Sequence, residues 1–264
     1  MIKVSFEIQV PNLNLFTKYT DYDFLLAHKI LDCKEYREFY KKSERYKIVD
    51  NSSFELSEPL KLAELLDAAK EVDANEIVIP DIIGDPKASM VLLDECLQKL
   101  FRDYSSYFND GLKIGAVVQG TTIEEWLSYF KLLSSGYPVI SRVHIPFALK
   151  FVNRDSSTQT QMDSRLLMTS IIDREELYNP YKKYHLLGCS NPIEIKYQSK
   201  YKWIDTLDTS SPIQQAVCGK VYDSKYGVIE KNRTKVNFDY KLNEEEIEKA
   251  LYNIGMLKGW CNGN

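Results

Sequence analysis

Glu76 to Gly120 reads EIVIPDIIGDPKASMVLLDECLQKLFRDYSSYFNDGLKIGAVVQG, and two of its segments decide the fold. EIVIP and IGAVV are continuous apolar runs, without the alternation of a strand that turns one face to water; a strand covered on both faces requires such a composition. The stretch Ala88 to Arg102 between them reads as a helix. Working outward, the same grammar repeats: a helix Leu60 to Glu71 precedes the first strand, and a helix Thr122 to Ser134 and a strand Pro138 to Val143 follow the second. Strands alternating with helices of about 10 to 15 residues indicate parallel βαβ units.

Toward the N-terminus, Ile2 to Val10 (IKVSFEIQV) alternates as a strand until Pro11 and Asn12 break it. Asp23 to Lys42 takes a helical period, with Leu25, Leu26, Ile30 and Leu31 on one stripe, and Tyr46 to Asp50 reads as a short strand. Toward the C-terminus the chain predicts a helix Asp163 to Ile172, a strand Tyr184 to Leu187, a helical turn Pro192 to Tyr197, a strand Trp203 to Leu207 and an amphipathic helix Asn243 to Leu257. Asn243 and Glu246 have capping-box spacing there. Asn153 to Gln161 (NRDSSTQTQ) is the loosest segment and is expected as a loop over a barrel mouth. At 264 residues and 44% hydrophobic the chain suits one large core. The expected fold is a single-domain α/β chain, a TIM-type (β/α)8 barrel, since such barrels run to about 250 residues. A doubly wound open sheet produces the same alternation, and the placement of polar residues is what favours the barrel.

Thirty-four Lys and Arg against 38 Asp and Glu give a formal charge of -4, so nucleic acid can be held only by local patches. The five cysteines, at 33, 96, 189, 218 and 261, form no CxxC pair, and the three histidines complete no recognised zinc spacing. No metal and no cofactor are expected. No apolar run nears the ~20 residues of a membrane span, no secretory signal stands at the N-terminus, and a reducing cytoplasm is the expected location.

Several strands finish in an acid, amide or glycine: Asp50 after YKIV, Asp81 after EIVIP, Gln119 and Gly120 after IGAVV, Gly188 after YHLL, and Asp205 and Asp208 around WIDTLD. In a barrel, strand C-termini converge where the chemistry sits. The plain alternative for each aspartate is a cap on the next helix, a role to which Gln119 is poorly suited.

These segments together resemble the tRNA-guanine transglycosylase superfamily. IVDNSSFEL is similar to its strand and loop in which an Asp precedes small residues and an aromatic; EIVIPD resembles the strand with its base-recognising Asp, and GAVVQG its VQG segment. HLLG followed by Pro192 resembles its MGVG segment, and WIDTLDTSSP the strand whose second Asp is the nucleophile. The resemblance covers Tyr46 to Pro212 in order. It implies Asp208 as nucleophile, Asp50 as acid/base partner, and Asp81, Gln119 and Gly120 as readers of a purine edge, with Ser53 and Gly188 lining the substrate; His144 in SRVHIPF, ordinarily a satisfied core or loop histidine, is a further lining candidate by its place at a strand end. The chemistry is self-consistent: a carboxylate can trap the sugar carbon while a second carboxyl protonates the leaving base. Guanine presents N1-H and a 2-amino group to an acceptor, and O6 to a donor.

The chain departs from the tRNA enzymes in having only Cys218 and Cys261, and no His, after the nucleophile strand, and Ile213-Gln214 where Thr-Arg is usual. It is thus more similar to zinc-free, phage-type relatives that exchange guanine in DNA for a deazaguanine. DNA, or else tRNA, and a free deazaguanine base are the expected partners, in a host cytoplasm if the chain is phage-encoded. A silent partner subunit and an unrelated barrel acting on a phosphorylated metabolite are the competing readings; retention of Asp50 and Asp208 argues against the first, and lack of a Gly-rich phosphate loop against the second. Cations and aromatics interleave from Tyr181 to Trp203, making Lys182, Lys183 and Lys200 candidate phosphate contacts, with Lys231, Arg233 and Lys235 a second patch. A solvated face over buried tyrosines explains the first patch equally well.

Overall fold

The computed structural model describes residues 1–264 except 110, 155–156, 190, 224, 226, 228–235 and 264. Among the described residues there are eight strands: β1 Lys3–Phe6, β2 Asp23–Leu26, β3 Lys47–Asp50, β4 Glu76–Val78, β5 Lys113–Val117, β6 Ile140–Ile145, β7 Lys183–Leu186 and β8 Thr206–Thr209. All are parallel and helices alternate with them, giving the α/β fold of TIM-type (β/α)8 class. Packing divides the chain into two units, Asp23–Pro146 with Arg174–Tyr184, and Met1–Tyr22 with Phe147–Asp173 and His185–Asn264.

In the first unit β2, β3, β4, β5 and β6 pair in sequence order, each joined to the next by helical chain. Ile48, Val49, Ile77, Val78 and Ile114 are buried, as strands covered on both faces must be. The helix Pro86–Asp103 is capped by Asp85, which accepts from the Ala88 amide at 2.9 Å, and Ile123–Lys131 by Thr122, which accepts from the Glu125 amide at 3.2 Å. Trp126 and Phe130 stack at 5.6 Å between ring centres and bury the helix face.

In the second unit β8 pairs with β1 and with β7, placing Ser5 opposite Asp208 and His185 opposite Thr206. The final helix, Glu244–Cys261, begins at the expected capping box: Asn243 accepts from the Glu246 amide at 3.0 Å while Glu246 accepts from the Asn243 amide at 2.8 Å. The buried side of that helix, including Ile254 and Leu257, packs against the helix Ser211–Val217.

Three expectations change. Asp23–Leu26 (DFLL) is a strand, with helices only from Ala27–Asp32 and Lys34–Lys41. Its backbone is claimed by parallel pairing with β3, Leu26 opposite Asp50, which outweighs the local helical spacing. The last strand begins at Thr206 rather than Trp203, so Asp208 lies within it and Asp205 before it. The segment expected as a loop over 153–161 enters a helix at Ser157 that continues to Arg174.

Candidate functional site

The candidate residues fall in two polar clusters, one in each unit. In the first unit the ends of β3, β4 and β5 bring Asn51, Ser53, Asp81 and Gln119 together. Asp81 is 5% exposed, and its carboxylate accepts Asn51 Nδ2 at 2.7 Å on Oδ1 and Gln119 Nε2 at 2.6 Å on Oδ2. Ser53 Oγ donates to the Asp81 carbonyl at 3.1 Å. Burial pushes the Asp81 carboxyl above its ordinary value, and the bonds from Asn51, Gln119 and Ser53 oppose that rise. Gln119 is held at its other end too, its Oε1 accepting the Gly84 amide at 3.0 Å. A carboxylate has about four acceptor positions, and Asn51, Gln119 and Ser53 already take three of them.

Asp50, half-buried at the end of β3, turns its Oδ2 onto the Ser52 amide at 2.9 Å. That turn forces Ser52 to φ +61°, a left-handed backbone uncommon for serine, and the Ser52 hydroxyl accepts the His28 amide at 3.3 Å. Gly120 has a packing role: a Cβ there would stand 2.5 Å from Trp126 Cα, so glycine is what lets the helix Ile123–Lys131 approach the end of β5. His144 is wholly buried on β6 above Gly115, with Nε2 3.6 Å from Glu76 Oε1. It belongs to an interior network in which Glu76 also accepts Arg142 Nε at 2.8 Å and Tyr46 OH at 2.9 Å. Burial alone would push the Glu76 carboxyl up, but His144 and Arg142 outweigh burial and hold it at about 2.

In the second unit Asp208 stands near the end of β8. Its Oδ1 accepts His185 Nε2 at 3.0 Å and the Gly188 amide at 2.9 Å. His185 is completely buried on β7, where its Nδ1 lies 2.9 Å from Thr206 Oγ1 and 3.3 Å from the hydroxyl of Tyr22, which donates to the Leu207 carbonyl at 2.7 Å. With the Thr206 hydroxyl able to donate to Nδ1, Nε2 can carry the proton that meets Asp208. Gly188 adopts φ +56°, and a Cβ on it would meet Phe147 Cδ1 at 2.8 Å, so the turn that aims its amide needs glycine. Beneath this turn Arg165 and Glu194 form a buried bidentate pair, Nε to Oε1 at 2.5 Å and Nη2 to Oε2 at 3.0 Å.

The candidate lysines divide. Lys182 is buried, and its ammonium donates to the carbonyls of Leu133, Tyr137 and Ile140 at 2.9, 2.6 and 2.8 Å. Burial lowers its pKa to about 8. It therefore fastens the turn before β6 and does not lie on the phosphate-binding surface expected of it. Lys183 and Lys200 are exposed, and the Lys200 ammonium lies 5.0 Å from the centre of the Tyr197 ring. Lys231, Arg233 and Lys235 lie outside the described residues.

Thus the structure gathers Ser53, Asp81 and Gln119 in one cluster and Gly188 with Asp208 in another. It adds Asn51, His185, Arg165 and Glu194, which the sequence reading did not single out. A signal existed for the last two: Arg165 opens the apolar run LLMTSII, and Glu194 sits between Ile193 and Ile195. Charges inside apolar helical stretches are buried only when paired. Among the described residues no group of three or more His, Cys, Asp or Glu side chains is gathered as for a metal, and no helix is long and apolar enough to cross a membrane. No protein-family model and no curated protein sequence matches the chain.

Proposed function

We propose that this chain is a nucleic-acid guanine transglycosylase, exchanging a guanine in DNA for a 7-deazaguanine base. The observation that carries the reading is Asp208, a carboxylate at a strand end with one oxygen fixed by an imidazole and a backbone amide. Such fixing suits a group that must present a lone pair to a single carbon and leave again.

In the proposed reaction the Asp208 carboxylate attacks the sugar C1′. The C1′–N9 bond of guanine breaks as a C1′–O bond forms, and Asp50 gives the departing base its proton. The incoming base returns a proton to Asp50, its nitrogen attacks C1′, and the carboxylate is released. Asp81, with Asn51, Ser53 and Gln119 around it, supplies acceptor and donor groups for the guanine edge, and Lys183 and Lys200 supply exposed cations for the phosphates. Such an enzyme acts where its DNA lies, in the host cytoplasm for a phage-encoded chain.

The test is incubation with labelled guanine or a deazaguanine and either DNA or tRNA, scoring which polymer gains label. DNA is expected to. Asp208→Asn keeps the shape but is a far poorer nucleophile, so incorporation should fall by orders of magnitude while DNA binding persists. Asp50→Asn should lower it about 10²–10⁴-fold through lost proton transfer. Incorporation that survives Asp208→Asn and disappears in Asp205→Asn would shift the nucleophile by three residues; indifference to both would end the transglycosylase reading.

A further inference from the structure

The amide that holds Asp208 is one end of a peptide group whose other end is held by a cation. The Leu187 carbonyl and the Gly188 N-H belong to the same planar unit. Arg165 Nη1 donates to that carbonyl, and Gly188 N-H donates to Asp208 Oδ1 at 2.9 Å. The next amide, Cys189 N-H, donates to the main-chain carbonyl of Asp208 at 2.9 Å, which ties the turn to β8 at a second point.

The guanidinium is itself fixed. It is 1% exposed, and Glu194, at 2% exposure, grips it through two parallel bonds. Burial disfavours the charged guanidinium, but Glu194 outweighs this and keeps Arg165 protonated. A buried ion pair is a weak source of net stability, because desolvation offsets much of the attraction. Its geometry here has a more specific effect. A cationic donor on a peptide oxygen draws electron density toward that oxygen and leaves the N-H on the far side more positive. It also prevents the 187–188 peptide from rotating its carbonyl toward Asp208, where it would repel the carboxylate.

We propose that Arg165, oriented by Glu194, is a positioning residue that acts on Asp208 through the Leu187–Gly188 peptide, keeping a polarised N-H aimed at the carboxylate. This rests on the reading of Asp208 as the reacting group. Arg165 acts at one remove from the carboxylate, through the peptide it holds.

Two measurements separate this role from general structural support. Leu187–Gly188 is the only Leu-Gly step in the chain, so protein labelled with carbonyl-¹³C leucine and ¹⁵N glycine shows a single correlation from this peptide. The double variant Arg165→Met with Glu194→Leu removes both charges without stranding either, and Glu194→Gln loosens the grip with almost no change of shape. Each should move the Gly188 amide proton upfield, as should Asp208→Asn in an otherwise wild-type chain. In the exchange assay the double variant should lose about 10- to 100-fold in kcat, with KM for DNA within about two-fold, because a reacting group misplaced by about 1 Å loses rate of that order. Arg165→Lys, which can still donate to the Leu187 carbonyl, should recover part of the loss.

The proposal is overturned if Asp208→Asn abolishes exchange while the folded double variant, or Glu194→Gln if the double variant does not fold, keeps kcat within about two-fold and leaves the Gly188 resonance unmoved. If Asp208→Asn exchanges normally, the enzymatic reading fails by itself. The Gly188 resonance then still decides whether Arg165 governs the peptide.

Discussion

Glu76→Gln tests the interior network of the first unit. The carboxylate accepts Arg142 Nε at 2.8 Å and Tyr46 OH at 2.9 Å, and the Arg142 and Glu76 side chains are 8% and 1% exposed. Glutamine keeps the shape and one acceptor but leaves the guanidinium without its counter-charge. Breaking a buried pair in this way costs about 3–5 kcal/mol. The depressed Glu76 carboxyl agrees in size: holding it at about 2 instead of its ordinary 4.5 corresponds to about 3 kcal/mol at ~1.4 kcal/mol per pH unit. The sign follows from the depressed folded value. The contribution is fully present above pH 4.5 and is lost as pH falls toward 2, because the unfolded chain takes up the proton first. Urea unfolding followed by circular dichroism should therefore separate wild type from variant by about 3 kcal/mol at pH 7, or roughly 6–12 °C in Tm for a domain of this size. The gap should narrow by about 1 kcal/mol at pH 4 and about 2 kcal/mol at pH 3. A gap under about 1 kcal/mol at pH 7, or one that does not change with pH, would refute the assignment of Glu76 as the charge that Arg142 and His144 hold ionised.

Lys182→Met should destabilise by about 2–3 kcal/mol in urea, since the carbonyls of Leu133, Tyr137 and Ile140 lose their shared donor, while DNA affinity stays within about two-fold; weakened binding at unchanged stability would return this lysine to the phosphate surface. Gly120→Ala should lower stability by about 1–3 kcal/mol, because its Cβ meets Trp126 backbone at 2.5 Å, and an unchanged melting temperature would contradict that approach. His185→Phe removes the Nε2 donor to Asp208 within a buried site, and under the proposed function exchange should fall about 10²-fold with DNA binding intact; full exchange in the folded variant would detach His185 from the proposed role of Asp208.

The strands that composition revealed are those buried on both faces. EIVIP and IGAVV have no polar face to confuse the reading, and β4 and β5 lie there, at Glu76–Val78 and Lys113–Val117. DFLL was illegible because Leu25, Leu26, Ile30 and Leu31 satisfy a helical period, and only the neighbour at β3 decides otherwise. Asp50, Asp81, Gln119 and Asp208 could be singled out by their places near strand ends, with no knowledge of contacts. His185 could not, because its significance depends on which residue of β8 lies beside it. Nor could the sequence distinguish Lys182 from Lys183: adjacent residues at a strand entrance point in opposite directions, and one is buried among carbonyls while the other is exposed. Asn51 was hidden between two residues of the motif, though its amide is the closest neighbour of Asp81 Oδ1.

Ser52 has a bearing on how this chain can be altered. At φ +61° a glycine would sit with less strain, so by backbone preference alone the substitution toward glycine is downhill. The serine hydroxyl, however, is what the His28 amide meets at 3.3 Å, linking the chain just past β2 to the chain just past β3. Relaxing the turn and keeping the latch are thus alternatives at one codon. A directed-evolution campaign selecting only for thermal endurance would be drawn toward the first, and one selecting for turnover would reveal whether the second matters.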